Sequence, residues 1–408
     1  MFQKEKINQV RAKYEFFDGL VLAAVLILSA IGILMVFSIT GTSIWNNRSG
    51  DRLSYMLHSA TGVALGIAAM IAMVFLPQKV FRGKLTGGII FVSTLALFII
   101  TVYFGHGTDA SPEVSRWLTI PGMITFQAVD LARIGFILSV AWLIQLLIDK
   151  QKYYRGKIPH YLWPLSYILI CTYLVYNQPD LGSMIAIFTT GIFMFFSSGI
   201  KVRQIIFVII FGILSLLALI HYDVLSWDYQ TSRMDIWRDP FAYDAGLQVV
   251  MGFVSVALGG WFGVGIGEST QALGFAIEPH TDLIVTILSE ELGVITVFLI
   301  MILYLVIAIK CFMTALKSRD VFSALVCIGV GSFFLVQPFI NLGGVIGFIP
   351  LSGVTLPLIS YGMTSKVSTF ILIGIYFNMR RRILIDVEKH KEKKAEKKGL
   401  NNMLQLKP

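Results

Sequence analysis

Stretches of some twenty apolar residues recur along this chain from Phe16 to Phe377, separated by short polar segments and two longer ones. A hydrocarbon layer of about 30 Å requires about 20 residues of apolar helix, because backbone polar groups inside it must be bonded within the segment. The pattern predicts an all-α, polytopic integral membrane protein with ten transmembrane helices, near 16–40, 56–76, 87–104, 129–148, 161–177, 183–199, 205–221, 284–309, 321–345 and 361–379. Composition agrees: of 408 residues, 56% are hydrophobic and 14% charged, more apolar than a soluble domain of this length can bury. No separate soluble domain fits. The segments are a start at 1–15, a helical domain at 16–379 with a large outer loop at 222–283, and a basic tail at 380–408. The first span follows a basic start without a small-residue cleavage site and reads as a retained helix. Cys171, Cys311 and Cys327 lack metal-ligand spacing and read as small buried hydrophobes.

Charge sets the orientation. Only Arg48, Arg52, Arg116, Arg233 and Arg238 fall on one side of the spans, with Arg133 and Lys366 inside them, so 26 of the 33 Lys and Arg gather on the other side. The positive-inside rule makes that side, with both termini, cytoplasmic. The net charge of +9 is then a topology signal rather than a nucleic-acid footprint. The tail from Arg380 has two readings, a solvated topology signal, which is favoured, or a surface for anionic lipid.

The outer loop collects Asp223, Asp228, Asp235, Asp239, Asp244, Glu268 and Glu278, with Asp282 at its end. Long loops without their own fold are usually functional. Its run GGWFGVGIG (259–267) follows no strand and lies outside, which argues against a nucleotide-binding loop. Charges inside spans mark function by default. Asp130 and Arg133 share a helical face and are placed either to neutralise each other or to serve a site. Lys366 has three readings: snorkelling to the surface, pairing with Glu290 or Glu291, or facing a phosphate.

Four stretches in order along the outer face carry a resemblance to a known family. They are SRWLTIPGMITFQAVDLAR (115–133), QPDLGS (178–183), the region from Arg233 through WRDPF, Gly246 and Gln248 to GGWFGVGIGESTQALGFAIEPHTDLIVTILSEELG (259–293), and NLGGVIGFIPLSGVTLPLISYGMTS (341–365). The chain resembles the SEDS family of FtsW, RodA and SpoVE type, whose patterns are RW…FQPSE…K, GxGxSxQKxxxLPExHTDFIFxxxxEExG and N…G…P.TG..LP..SYGGSS. It departs from them at Ala128 and Val129 (for Pro-Ser), Asp130 (for Glu), Arg133 (for Lys), Ala272 (for Lys), Ile277 (for Pro) and Met363-Thr364 (for Gly-Ser). LPLISYG and QALGF…EPHTD lean towards the FtsW branch.

The resemblance implies a processive, inverting peptidoglycan glycosyltransferase that polymerises lipid II at the outer face of a bacterial cell membrane. Asp282 occupies the Asp of the HTD motif that the family uses as its catalytic acid group, and is expected to act as base. Burial at a membrane rim raises a carboxyl pKa while a helix N-terminus lowers it, which leaves the net sign open. Substrate contacts are expected at Arg116, Trp117, Gln127, Gln178, Asp180, Arg233, Arg238, Gln248, Glu278, His280, Ser360 and Lys366. Arginines suit bidentate phosphate contact, and ion pairs with nearby acids are the competing explanation. A divalent cation, Mg or Mn, bridging Asp282 and pyrophosphate is expected as cofactor, and a cognate class B penicillin-binding transpeptidase and other divisome or elongasome membrane proteins as partners. Two other functions fit a many-helix chain: a flippase for lipid-linked sugar, and a division or elongation scaffold with little activity.

Overall fold

The computed structural model describes residues 17–39, 52–107, 115–120, 125–149, 160–200, 206, 228–243, 246–270, 283–351 and 353–405. It is a helical bundle, with α1 Gly19–Ile39, α2 Arg52–Phe75, α3 Lys84–Phe104, α4 Ala128–Asp149, α5 Leu162–Tyr176, α6 Leu181–Phe196, α7 Asp228–Arg238, α8 Leu247–Gly259, α9 Ile284–Lys317, α10 Val321–Val345 and α11 Met363–Gln405. Each expected span except 205–221, which lies outside the described residues, coincides with a helix. Six of these helices are long and apolar enough to cross a bilayer by length and composition. α2 packs along α11, α9 along α10 and α1, α3 along α4, and α6 against α5 and α10.

The burial pattern is that of a protein dissolved in lipid. Leu85, Tyr103, Phe104 and Phe298 face outward, while Asp130, Arg133, Gln178, Asp180, Glu290, Glu291, Gln337, Asn341 and Lys366 are buried. Lipid tails are as apolar as leucine, so packing depends on close approach and internal polar contacts. α2 and α11 meet this way: a Cβ on Gly66 would strike the Phe370 ring, and one on Gly374 would lie 2.5 Å from the Met70 carbonyl.

Ion pairs hold one end of the bundle. Asp18 before α1 meets Lys310 of α9 (3.5 Å) and Arg380 of α11 (3.3 Å), and Asp320 before α10 meets Arg82 (3.3 Å). The other end carries a two-stranded hairpin, β1 Trp117–Thr119 against β2 Thr125–Gln127, with Trp117 opposite Gln127. No strand was expected there.

The segment 222–283, expected as a large outer loop, contains α7 and α8, and α8 packs on α9. Two further expectations are corrected. Helix α11 does not stop near 379 but continues to Gln405, because residues 380–405 carry charged helix formers and no Pro. Helix α9 is interrupted at Gly293 (φ 79, ψ 167).

The break in α9 explains the glycine run. Interrupting a helix orphans carbonyls before the gap and N–H groups after it. Here Val264 N donates to Glu290 O (2.9 Å) and Gly265 N to Glu291 O (3.1 Å), while Val294 N donates to Gly260 O (3.0 Å) and Ile295 N to Trp261 O (3.3 Å). The backbone of 260–265 thus stands in for the missing turn, and only glycine permits so close an approach. A Cβ on Gly293 would lie 2.5 Å from Gly263 N and from Trp261 O.

Gly293→Ala combines this clash with a left-handed φ and is expected to cost about 2 kcal/mol or more, seen as a lowered melting temperature in detergent. Gly88→Ala, where nothing lies within 4 Å of the added Cβ, should leave melting unchanged or slightly raised; equal melting of the two variants would contradict the stitched break.

Candidate functional site

The hairpin end gathers most of the expected site residues. Arg116 precedes β1 and reaches three segments: Nε lies 3.4 Å from Asp180 Oδ2, Nη2 donates to Pro179 O (3.4 Å) and Nη1 donates to Gly353 O (3.4 Å). Asp180 is fully buried and caps α6 by accepting from Ser183 N (3.0 Å). Its neighbour Gln178, also fully buried, donates from Nε2 to Phe98 O at 3.4 Å. Cap and ion pair are thus one carboxylate, which fixes the QPD turn against the hairpin.

Arg233 of α7 joins the same place. Its Nη1 donates to Leu351 O (3.2 Å), two residues from the carbonyl that Arg116 holds, and Trp237 Nε1 donates to Gly347 O (2.8 Å). Two guanidinium groups separated by more than a hundred residues therefore converge on segment 351–353.

That segment belongs to an irregular stretch, 346–362, whose inner part is buried. Nonhelical backbone at membrane depth survives only where protein satisfies it. Gln337 Nε2 donates to Thr355 O (2.8 Å), Asn341 Nδ2 to Val354 O (2.5 Å) and the Tyr304 hydroxyl to Pro357 O. Ser360 Oγ accepts from Leu356 N (2.8 Å), so Ser360 closes a buried turn within this stretch.

Beneath Arg116 lies the pair Asp130–Arg133, 3.5 Å apart and buried. The Arg133 guanidinium also sits 4.6 Å over the Phe333 ring, a cation–π contact. Asp180 bears electrostatically on both members, so acids and bases alternate from Arg116 to Arg133. Asp130 Oδ2, Arg133 Nε and Gln178 Oε1 are buried and have no hydrogen-bond partner among the described residues.

The remaining residues are placed differently. Lys366 is buried and pairs with neither Glu290 nor Glu291; its Nζ donates to Ser59 Oγ of α2. Glu290 accepts from Ser269 Oγ (2.6 Å), Thr270 N (2.8 Å) and Thr270 Oγ1 (2.7 Å), and Glu291 from Ser38 Oγ (2.7 Å). These two acids fasten the glycine loop and α1 to the broken helix, a role the sequence pattern did not reveal. Arg238 is exposed and pairs with Asp235 on its own helix (3.8 Å). Trp117 and Gln248 are half-buried, and Gln127 is buried opposite Trp117. Glu278, His280 and Asp282 lie outside the described residues. Among the described residues no group of three or more His, Cys, Asp or Glu is placed to hold a metal. Asp130 and Asp180 are each matched to an arginine, which leaves little charge for a divalent ion.

The family model described as "Cell cycle protein", FtsW/RodA/SpoVE, matches residues 18–383. The chain belongs to the FtsW/RodA/SpoVE family. It is similar to the probable peptidoglycan glycosyltransferase FtsW of Bacillus subtilis strain 168, 32% identical over 94% of this chain and 95% of that one. The corresponding protein of Tolumonas auensis is 30% identical over 88% and 91%. The fold matches a chain from a peptidoglycan synthase complex with coordinated polymerization and crosslinking (TM-score 0.71, 21% identity, covering 90% of this chain and 98% of that one). Thermus thermophilus RodA gives a TM-score of 0.63 at 19% identity, covering 90% and 98%. Where the FtsW/RodA/SpoVE pattern has Glu and Lys, this chain has a shorter acid, Asp130, and a longer base, Arg133, joined as an ion pair.

Removing one member of a buried pair strands the other, at a cost of about 3–5 kcal/mol, whereas replacing both by apolar residues is far milder. Asp130→Leu and Arg133→Met should therefore each lower the melting temperature, and the double variant should recover most of the loss. A double variant that simply sums the two would show that the pair is not coupled.

Proposed function

We infer that this chain is a peptidoglycan glycosyltransferase that polymerises lipid II, with the hairpin end of the bundle outside the cell membrane and both termini cytoplasmic. The observation that carries this reading is the convergence of Arg116 and Arg233 on segment 351–353 beside Asp180, the cap of α6. Guanidinium groups at a membrane rim suit the pyrophosphate of a lipid-linked sugar, whose tail stays in the bilayer. The Lys and Arg distribution supports the orientation.

In the proposed reaction the Asp282 carboxylate takes the proton of the acceptor sugar's 4-hydroxyl. The freed oxygen attacks the anomeric carbon of the donor sugar from the face opposite the pyrophosphate. The carbon–oxygen bond to undecaprenyl pyrophosphate breaks with its electron pair, and the configuration inverts. Arg116 and Arg233 hold the negative leaving group, with Arg238 and Lys366 as further cations. Trp117, Gln248, Glu278 and His280 contact the sugars, with the buried Gln127 and Gln178 holding the hairpin and the QPD turn behind them. A Mg or Mn ion would take Asp282 and pyrophosphate oxygens as ligands and neutralise phosphate charge.

Three of the buried charges stand in the first turns of their helices at one end: Asp130 in α4, Asp180 capping α6 and Lys366 in α11. A flippase places its polar site near the midplane between repeats, so this arrangement favours surface chemistry. The names of the curated relatives support the division branch. A class B penicillin-binding transpeptidase is the proposed partner, with other divisome membrane proteins around the pair.

The test is glycan synthesis from lipid II with Mg or Mn, with and without the transpeptidase. Wild type should make strands and Asp282→Ala none, a loss of at least about a hundredfold, with Arg116→Ala and Arg233→Ala each well below wild type. Strands from Asp282→Ala would remove Asp282 as base. Absence of strands from wild type, with lipid II crossing vesicle membranes instead, would replace the polymerase by a flippase.

A further inference from the structure

One face of the hairpin carries an ordered set of polar groups that the reaction leaves unused. His106, just beyond α3, exchanges both backbone hydrogen bonds with Trp117, its N donating to Trp117 O (2.9 Å) and Trp117 N donating to His106 O (3.1 Å). Residues directly opposite in antiparallel pairs point to the same face. His106, Trp117 and Gln127 therefore form one row, with Thr119 and Thr125 beside it. We propose that this face is a subsite for a neutral sugar unit of the glycan strand, read by His106, Thr119 and Thr125 beside the Trp117 ring, a role that rests on the chain being a glycosyltransferase.

The direction of the hydrogen bonds decides what the face can recognise. Gly107 O, 3.0 Å from His106 Nδ1, can only accept, so Nδ1 holds the proton of the neutral ring and Nε2 is an acceptor. Thr119 Oγ1 then donates to Nε2 (2.7 Å), and Thr125 Oγ1 donates to Thr119 Oγ1 (2.8 Å). Thr125 has turned its one hydroxyl proton inward and presents lone pairs outward, at the end of a chain whose bonds polarise one another. Such an end accepts from a sugar hydroxyl or an N-acetyl N–H. It offers nothing to a phosphodiester, which brings only lone pairs of its own, and none of the five side chains on the face is a Lys or Arg.

Exposure and level agree with a sugar. His106, Thr119 and Thr125 are exposed, Trp117 is half-buried between them and the buried Gln127, and its ring offers a flat apolar surface beside the polar chain. Tyr103 and Phe104, both strongly exposed, end α3 just before His106. Aromatic side chains in that position mark the membrane–water interface, so the face stands at the height of a lipid-linked sugar rather than of its tail.

The full chain in nanodiscs is titrated with chitotetraose, a neutral oligosaccharide of N-acetylglucosamine, and separately with a phosphate ester of N-acetylglucosamine, with binding read by saturation-transfer NMR. Wild type should bind chitotetraose, and Thr119→Val, Thr125→Val and His106→Phe should each weaken it about fivefold, the loss of one net hydrogen bond. Thr119→Ser, which keeps the hydroxyl, should bind like wild type, and melting temperatures matched to wild type show that a weakened variant is folded. Equal binding by wild type, Thr119→Val and Thr125→Val overturns the proposal, as does wild type that takes up the phosphate ester but not chitotetraose. No lipid II enters this titration, so its result is separate from strand synthesis. Wild type that makes strands but binds chitotetraose independently of Thr119 loses the subsite and keeps the polymerase; wild type that binds through Thr119 but makes no strands keeps the sugar site and loses the polymerase.

Discussion

A backbone polar group in hydrocarbon has no water to turn to, and this constraint shapes the bundle wherever its helices fail. They fail twice near the hairpin end. Helix α9 breaks at Gly293, and the backbone of 260–265 supplies the donors and acceptors that the break leaves over. Between α10 and α11 the chain runs irregularly, and Gln337, Asn341, Tyr304 and Ser360 satisfy its buried part. Both repairs lie at the end where the candidate site is built. Irregular backbone is the only kind that can turn carbonyls such as Leu351 and Gly353 towards incoming arginines.

Charge follows the same logic. Asp180 meets Arg116 while capping α6, Asp130 meets Arg133, and Glu290 and Glu291 accept from hydroxyl and amide donors. Lys366 is matched by a serine hydroxyl instead of a carboxylate. The result is a platform whose cations are positioned by contacts independent of any ligand. Such preorganisation lets electrostatic stabilisation act without reorganisation at the moment of reaction.

The helices were legible because apolar length is a strong signal, and spans such as 321–345 coincide with their helices to the residue. What escaped was non-periodic. The hairpin at 117–127 has strands of three residues, too short for alternation to show. Helix α8 is an apolar run of 13 residues, below spanning length and enclosed by polar neighbours, so it was absorbed into the outer loop. The glycine run stands out in the sequence, but its purpose depends on pairing with a break in α9 at Gly293. For the site, the family resemblance named Arg116, Asp180 and Arg233 as substrate contacts, and the structure brings the three to one region around segment 351–353. The partners of Lys366 and Glu291 are set by tertiary packing of α2 and α1, which spacing does not encode.

The proposed function places a lipid-linked sugar at one end of the bundle, on the platform formed by the hairpin, the QPD turn, α7 and the 346–362 stretch. Hydrogen–deuterium exchange of the membrane-embedded protein, with and without lipid II, tests it most directly. Exchange should slow at 115–119, 177–183, 228–243 and 346–356 on adding lipid II and stay unchanged at 77–86 and 318–321. Protection at both ends of the bundle, or only at the end holding Asp18 and Asp320, would contradict it.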